Sequence, residues 1–272
     1  MVAAVLQRTS TFATETGATA APAHVTIRGL TKRFGNISIY QSFDLDIPRG
    51  KLVSIFGPNG CGKSTLINMI AGLIPIDAGE ILFAGKPLSQ ITFGYVFQNY
   101  REALFPWLRS FENIEYPLKL MKLPKAKRRA KVEQLVDHLG VKIDLSRYPY
   151  QLSGGQQQLV SIMRALVVDP EILFLDEPFS ALDYEMTLFM REQLQRIFME
   201  TKTTTVLVSH DLEEAVYLAD RILLLSRHPA RIADFVAYDA PRPRNDDTLS
   251  EPEFVSIKAH CLEIFQREVR KV

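Results

Sequence analysis

The stretch Gly57-Pro58-Asn59-Gly60-Cys61-Gly62-Lys63-Ser64-Thr65 puts three glycines, a lysine and two hydroxyls into nine residues. Glycines let successive backbone N–H groups curl round an anion. A lysine followed by a hydroxyl adds a mobile positive charge beside a hard oxygen ligand. The spacing satisfies the phosphate-binding pattern G-x-x-x-x-G-K-[ST]. Lys63 is then expected on the β- and γ-phosphates of a nucleotide, Ser64 on Mg²⁺ and Thr65 on the α-phosphate. Cys61 lies inside the loop, where the following helix dipole and Lys63 are expected to favour its thiolate.

A second constellation is Ile172-Leu173-Phe174-Leu175-Asp176-Glu177. An apolar strand here delivers Asp176 to the metal's coordination sphere, since a hard cation takes oxygen ligands. Glu177 is placed to accept a proton from an attacking water. A third is Leu152-Ser153-Gly154-Gly155-Gln156, a serine and two glycines opening a helix expected over 155–167. Such a helix start is a preorganised anion site.

A phosphate loop alone leaves GTPases, kinases, helicases and transporters open. The LSGGQ stretch together with the other two motifs resembles the ABC ATPase family, over essentially Val25 to Val272. That resemblance implies ATP and Mg²⁺ as cofactors, hydrolysis to ADP and phosphate, and a dimer in which Ser153, Gly154, Gly155 and Gln156 close over the ATP of a second subunit. The second subunit is either another copy or a sister chain. It further implies that Gln98 senses Mg²⁺ and water as a third metal-side residue with Ser64 and Asp176. Ser180-Ala181-Leu182-Asp183 is implied to communicate across the dimer, and His210 to contact the γ-phosphate. Phe34, in Thr31-Lys32-Arg33-Phe34-Gly35, takes the place of the aromatic that stacks on adenine. The family often continues its signature with an arginine where this chain has Leu159, so altered local packing or ion pairing is expected there without loss of hydrolysis.

The elements that must position these residues follow from apolar periodicity. Short apolar runs at 51–56, 92–97, 171–175, 204–208 and 221–225 alternate with helical patterns, which argues an α/β fold with a largely parallel sheet. Helices are expected over 63–71, 117–123, 125–139 and 155–167, those between 99 and 168 forming a helical insertion. The resemblance implies a P-loop NTPase core of RecA type, with an antiparallel β part near the N-terminus. Residues 1–24, rich in Ala and Thr and without the pattern of a secretory signal, are expected to form a solvated tail before an ATPase domain over 25–272.

The chain has 272 residues, 47% of them hydrophobic, and a formal net charge of +1. That charge does not mark a nucleic-acid binder, and the basic run Lys125–Lys131 lacks interleaved aromatics, so it is expected to be a solvated helix face. No apolar run reaches the roughly 18–20 residues of a membrane-spanning helix. Two cysteines make no disulfide framework and fit a reducing compartment. A chromosome-maintenance ATPase would carry a long coiled-coil insertion, and a tandem translation factor a second phosphate loop. Neither pattern occurs.

The tail narrows the resemblance. Ser226-Arg227-His228-Pro229-Ala230-Arg231-Ile232 and Ala240-Pro241-Arg242-Pro243-Arg244 look like the nitrate/sulfonate/taurine importer branch, with Ala230 in place of that branch's usual glycine. The stretch 211–272 is expected to be too short for the regulatory domain of sugar-importer subunits. The alternative is the ATPase of an exporter or lipid-release system. The implied partners are permease subunits and, indirectly, a substrate-binding protein, with the ATPase peripheral on the cytoplasmic face of the plasma membrane. Leu104-Phe105-Pro106-Trp107-Leu108, just after Gln98, is either a local core under the helical insertion or an anchor for the permease's coupling helix.

Overall fold

The computed structural model describes residues 22–180 and 182–270. The expected tail falls outside them as far as residue 21. Ala23 and His24 already belong to the first strand.

That strand, β1 (Ala23–Phe34), turns through Gly35 and Asn36 into β2 (Ile37–Pro48). Gly35 takes φ +56 there, the left-handed conformation such a turn needs. β3 (Leu52–Phe56) is buried along its whole length, and the phosphate loop leads from it into α1 (Lys63–Ile70). β4 (Ala78–Phe83) returns to pair antiparallel with β1. β5 (Phe93–Val96) then ends just before Gln98.

The helical insertion comprises α2 (Tyr100–Ala103), α3 (Ser110–Leu120), α4 (Lys125–Leu139) and α5 (Gly154–Leu166). The chain re-enters the sheet as β6 (Ile172–Asp176), followed by α6 (Tyr184–Thr201), β7 (Thr204–Val208) and α7 (Leu212–Leu218). It finishes with β8 (Arg221–Leu225), β9 (Ile232–Ala237) and α8 (Pro252–Arg270).

Among the described residues there are two sheets: β2-β1-β4, antiparallel, and β5-β6-β7-β3-β8-β9. In the second, every pairing is parallel except that of β9 with β8. Both faces of this sheet are covered, which is why β3, β6 and β7 read as continuous apolar runs and not as alternations. On one face Leu52 and Phe56 join the α5, α6 and α8 side chains; on the other Val53 and Ile55 join α1 and the antiparallel sheet. Each such buried aliphatic side chain contributes on the order of 1.5–3 kcal/mol of transfer free energy.

One helix differs from expectation. The sequence places a helix over 117–123, whereas α3 starts at Ser110 and carries Pro117 inside it. The Glu112 carboxylate accepts from the Arg109 N–H at 2.8 Å, closing the first turn. The Asn113 side chain donates to the carbonyls of Phe105, Leu108 and Arg109 and accepts from the Phe105 N–H. This anchored start offsets the bond that a proline removes.

Candidate nucleotide site

The strand order explains the site. β5, β6, β7 and β3 lie side by side and parallel, so the residues after their C-terminal ends gather at one edge. Gln98 follows β5, Asp176 ends β6 with Glu177 next, His210 follows β7 and the phosphate loop follows β3.

Within the loop, the Lys63 ammonium is buried and donates to the carbonyls of Gly57 and Pro58, at 2.9 and 3.2 Å. Its charge is thus held in the concavity that a phosphate would enter. Gly62 precedes α1 at φ +108, and a Cβ there would stand 2.8 Å from Ile39 Cγ2. No other residue fits, because β2 presses on the loop from outside. The Tyr40 hydroxyl also donates to the Gly62 carbonyl at 2.9 Å.

Ser64 Oγ donates to Asp176 Oδ1 at 3.0 Å, tying the start of α1 to the end of β6. Asp176 is buried, and that burial pushes its carboxyl up to about 6; the Ser64 hydroxyl acts against this and the Glu177 charge adds to it. A buried carboxylate and a hydroxyl at this distance suit a hard divalent cation, which would offset the desolvation. Among the described residues no group of three or more His, Cys, Asp or Glu is arranged to hold a metal. Ser64 and Asp176 are therefore a partial set, of the kind that Mg²⁺ completes with water and phosphate oxygens.

Glu177 has φ +48, in the left-handed region that costs a non-glycine residue about 1 kcal/mol or more. Its N–H donates to the Val208 carbonyl at 2.9 Å, which fixes it against the end of β7. Its Oε2 accepts from Gln98 Nε2 at 2.7 Å and lies 3.5 Å from His210 Nδ1. Three strand ends thus converge on one carboxylate oxygen.

The signature residues take a different form. Ser153 caps α5: its Oγ accepts from the Gln156 N–H, while Gln156 Oε1 accepts from the Ser153 N–H. A Cβ on Gly155 would stand 2.5 Å from Met186 Cγ in the first turn of α6. Asp183, whose Oδ1 accepts from the Met186 N–H at 2.8 Å, caps that helix. The expected cross-dimer residue therefore has a role inside its own subunit. Leu159, where an arginine is common, is buried in the larger core, so the departure is one of packing.

Two expectations change. Cys61 is buried, and burial pushes its thiol up against the smaller opposing influence of Lys63. The thiolate is not favoured, because the sulfur sits beneath the loop and not in its mouth. Trp107 is 70% exposed, whereas Leu104 is buried. The local-core reading holds for the leucine and fails for the tryptophan. Phe34 lies at the end of β1, about half exposed, with the Lys32 ammonium 5.2 Å from its ring centre.

Sequence reasoning missed Tyr95. Its hydroxyl donates to Asn68 Oδ1 at 2.8 Å and lies within hydrogen-bonding reach of Asp176, bracing the carboxylate opposite Ser64. It also missed Gln158, whose buried amide donates to the Pro178 carbonyl at 2.8 Å and links α5 to the turn after Glu177. Tyr95 belongs to no motif, and Gln158 lies in the continuation of the signature stretch just before Leu159; only the fold gives either its partner.

The ABC transporter family model matches residues 40–180. The chain belongs to the ABC transporter family. It is an ATP-binding cassette that hydrolyses ATP, and its helical insertion and antiparallel sheet are those of a cassette. A Brucella abortus protein (strain 9-941) named for ATP binding is 36% identical over 236 residues, 86% of this chain and 90% of its own length. The sulfate/thiosulfate import ATP-binding protein CysA of Mycobacterium tuberculosis (strain H37Rv) is 42% identical over 226 residues. This cassette covers 80% of itself and 63% of that protein's length in the match. Among solved structures, the dimeric cassette MJ0796 aligns at TM-score 0.69 and 30% identity, over 80% of this chain and all of that one. A post-hydrolysis MJ0796 dimer bound to ADP and Pi aligns at TM-score 0.68.

Proposed function

We propose that this cassette energises an ABC importer for nitrate, a sulfonate, taurine or a related small solute, with Mg-ATP bound between two ATPase subunits. The observation that carries the catalytic part is the Glu177 carboxylate held by Gln98 at 2.7 Å with His210 beside it. Glu177 takes the proton of the attacking water, Gln98 orients that carboxylate, and His210 reaches toward the γ-phosphate. Lys63 leaves its loop carbonyls for the β- and γ-phosphate oxygens, while Ser64 and Asp176 hold Mg²⁺. The ion supplies charge neutralisation on those oxygens. Phe34 offers its exposed face to adenine.

The γ-phosphate side opposite Glu177 is covered by Ser153–Gln156 of a second subunit, another copy or a sister chain. Dimeric MJ0796 supports the pairing of two cassettes. The import direction and an oxyanion or sulfonate cargo are supported by the similarity to CysA proteins and by the tail pattern at 226–232 and 240–244.

The permease docks beside Gln98. Phe93, Tyr95, Phe97, Phe105, Tyr116 and Arg164 line a cavity of about 300 Å³ there. Phe105 packs against Trp107 with tilted rings, 5.5 Å between centres, at the edge of this cavity. An apolar groove with a projecting tryptophan suits a short helix from a membrane subunit. Among the described residues no helix is long and apolar enough to cross a membrane, which fits a peripheral place on the cytoplasmic face. Reconstitution with the permease and binding protein that co-purify with it tests the reading. ATP-dependent uptake of labelled nitrate, sulfate or taurine is expected; outward movement of a lipid or solute would favour the exporter alternative.

A further inference from the structure

The turn between β8 and β9 is not used by the chemistry above, yet it sits at the same edge of the sheet as the phosphate loop. Ser226 closes it, accepting from the Arg231 N–H at its hydroxyl and donating its own N–H to the Arg231 carbonyl at 3.0 Å. Between this turn and α8 lies an open cavity of about 450 Å³ whose wall includes Ser226, Arg227, His228, Arg231 and Arg267. Arg227 and Arg231 are exposed, and their guanidinium groups have no ion pair or hydrogen bond to any described residue. Arg267 lies 3.8 Å from the buried Glu268, the one carboxylate on the wall. Three guanidinium groups against one carboxylate leave the cavity positive. Guanidinium groups that stay charged and present planar forks suit an oxyanion.

The turn also touches the phosphate loop on two sides. The Leu225 carbonyl stands 2.8 Å from where a Cβ on Gly57 would be, so β8 abuts the first residue of the loop. The Ala230 N–H donates to the Ile39 carbonyl at 2.7 Å, and Ile39 and Tyr40 are the residues that close on Gly62. Whatever steadies residues 226–231 steadies both ends of the glycine arc.

We propose that the cavity formed by Arg227, His228, Arg231 and Arg267 binds a free inorganic oxyanion of the sulfate or phosphate type and braces the phosphate loop when filled. The site is separate from the bound nucleotide and needs no cargo to cross the membrane. It concerns ATP retention only, so it stands or falls independently of the importer assignment.

Sulfate is the probe, and the phosphate loop itself must be blocked, so the full chain is first saturated with Mg²⁺ and the non-hydrolysable analogue AMPPNP. Calorimetric titration of sulfate, against chloride of matched ionic strength, is expected to show saturable binding to the wild type. The Arg227→Gln/Arg231→Gln protein should lose at least about tenfold in affinity, the scale of a lost charge-assisted pair. The Arg227→Lys/Arg231→Lys protein keeps the charge and should bind at an intermediate level, which separates lost binding from lost fold. Sulfate is also expected to slow AMPPNP release about fivefold in the wild type, the low end of ordinary coupling between sites, and not in the glutamine variant. Slowed release cannot come from competition at the phosphate loop. No sulfate binding by the wild type, or equal binding by the glutamine variant, overturns the site. Binding without slower release overturns the bracing.

Discussion

The phosphate-loop edge and the signature end of the same cassette use hydrogen bonds for opposite purposes. At the edge, polar groups are drawn inward: Lys63 onto its own loop, Ser64 onto Asp176, Gln98 onto Glu177. Each waits on a group that a ligand can take over. At the signature end, Ser153 and Asp183 are spent on helix starts, and Gly155 is spent on contact with Met186. Among the described residues no hydrogen bond or ion pair joins residues 153–156 to residues 57–65. One region holds the reactive groups; the other is a rigid plate with finished edges. A plate of that kind suits closure over a phosphate held elsewhere, which is the physical content of a shared site.

Glu177→Gln is the strongest way to break the comparison. Turnover of the assembled transporter should fall by about 10²–10⁴, the contribution of a general base. ATP binding should persist, and dimers should accumulate in ATP on size-exclusion chromatography. Turnover near wild type would remove Glu177 from the reaction. Next comes Gly155→Ala, which tests the plate. A methyl group 2.5 Å from Met186 Cγ should cost about 1–3 kcal/mol by denaturant unfolding, as overpacking does. Met186→Ala in the same chain should restore much of that loss, and restored stability without restored turnover would separate packing from phosphate contact.

Asp176 probes the edge at similar size. Its carboxyl lies near 6 in the fold against 3.8 unfolded, so the native state binds its proton more tightly. Its contribution is then most favourable below the unfolded value and is lost as pH rises from about 4 through 6. The full difference is at most about 3 kcal/mol. In thermal melts without Mg²⁺ and nucleotide, the wild type should lose stability across that window relative to Asp176→Asn. Parallel curves would mean that Asp176 ionises without penalty. Trp107→Ala should have the smallest effect on the isolated chain, within about 0.5 kcal/mol, because the side chain is exposed. Its effect belongs to assembly, where affinity for the permease should drop tenfold or more. An unfolded Trp107→Ala protein would return the tryptophan to the core.

The tail shows how unevenly the chain can be read. The motif Pro241-Arg242-Pro243-Arg244 stood out by resemblance alone, with no physical role to attach. In the fold Arg244 is buried and donates to the carbonyls of Val216, Tyr217, Ala219, Tyr238 and Ala240, while Arg242 pairs with Asp220 at 2.8 Å. Burial lowers Arg244 to about 10. An arginine that caps five carbonyls from two segments, 216–219 and 238–240, leaves no periodic trace in the sequence.

By itself the sequence determined five of the strands (β3, β5, β6, β7 and β8), the phosphate loop and its family, and left β1, β2, β4 and β9 unplaced. β3, β6, β7 and β8 run continuously apolar because both sheet faces are covered, and glycine spacing at a strand-to-helix turn has few other uses. It also placed α4 and α5 to within a residue, since their patterns have the helical period. Tertiary structure decided the rest. Strand order is set by packing between segments far apart in the chain, and it alone brings Gln98, Glu177 and His210 together. Burial decided that Cys61 is a protonated thiol and Asp176 a reluctant carboxylate, because desolvation depends on what lies across the loop. Exposure separated Trp107 from Leu104, three residues apart and equally apolar, because only the leucine has the helical insertion above it.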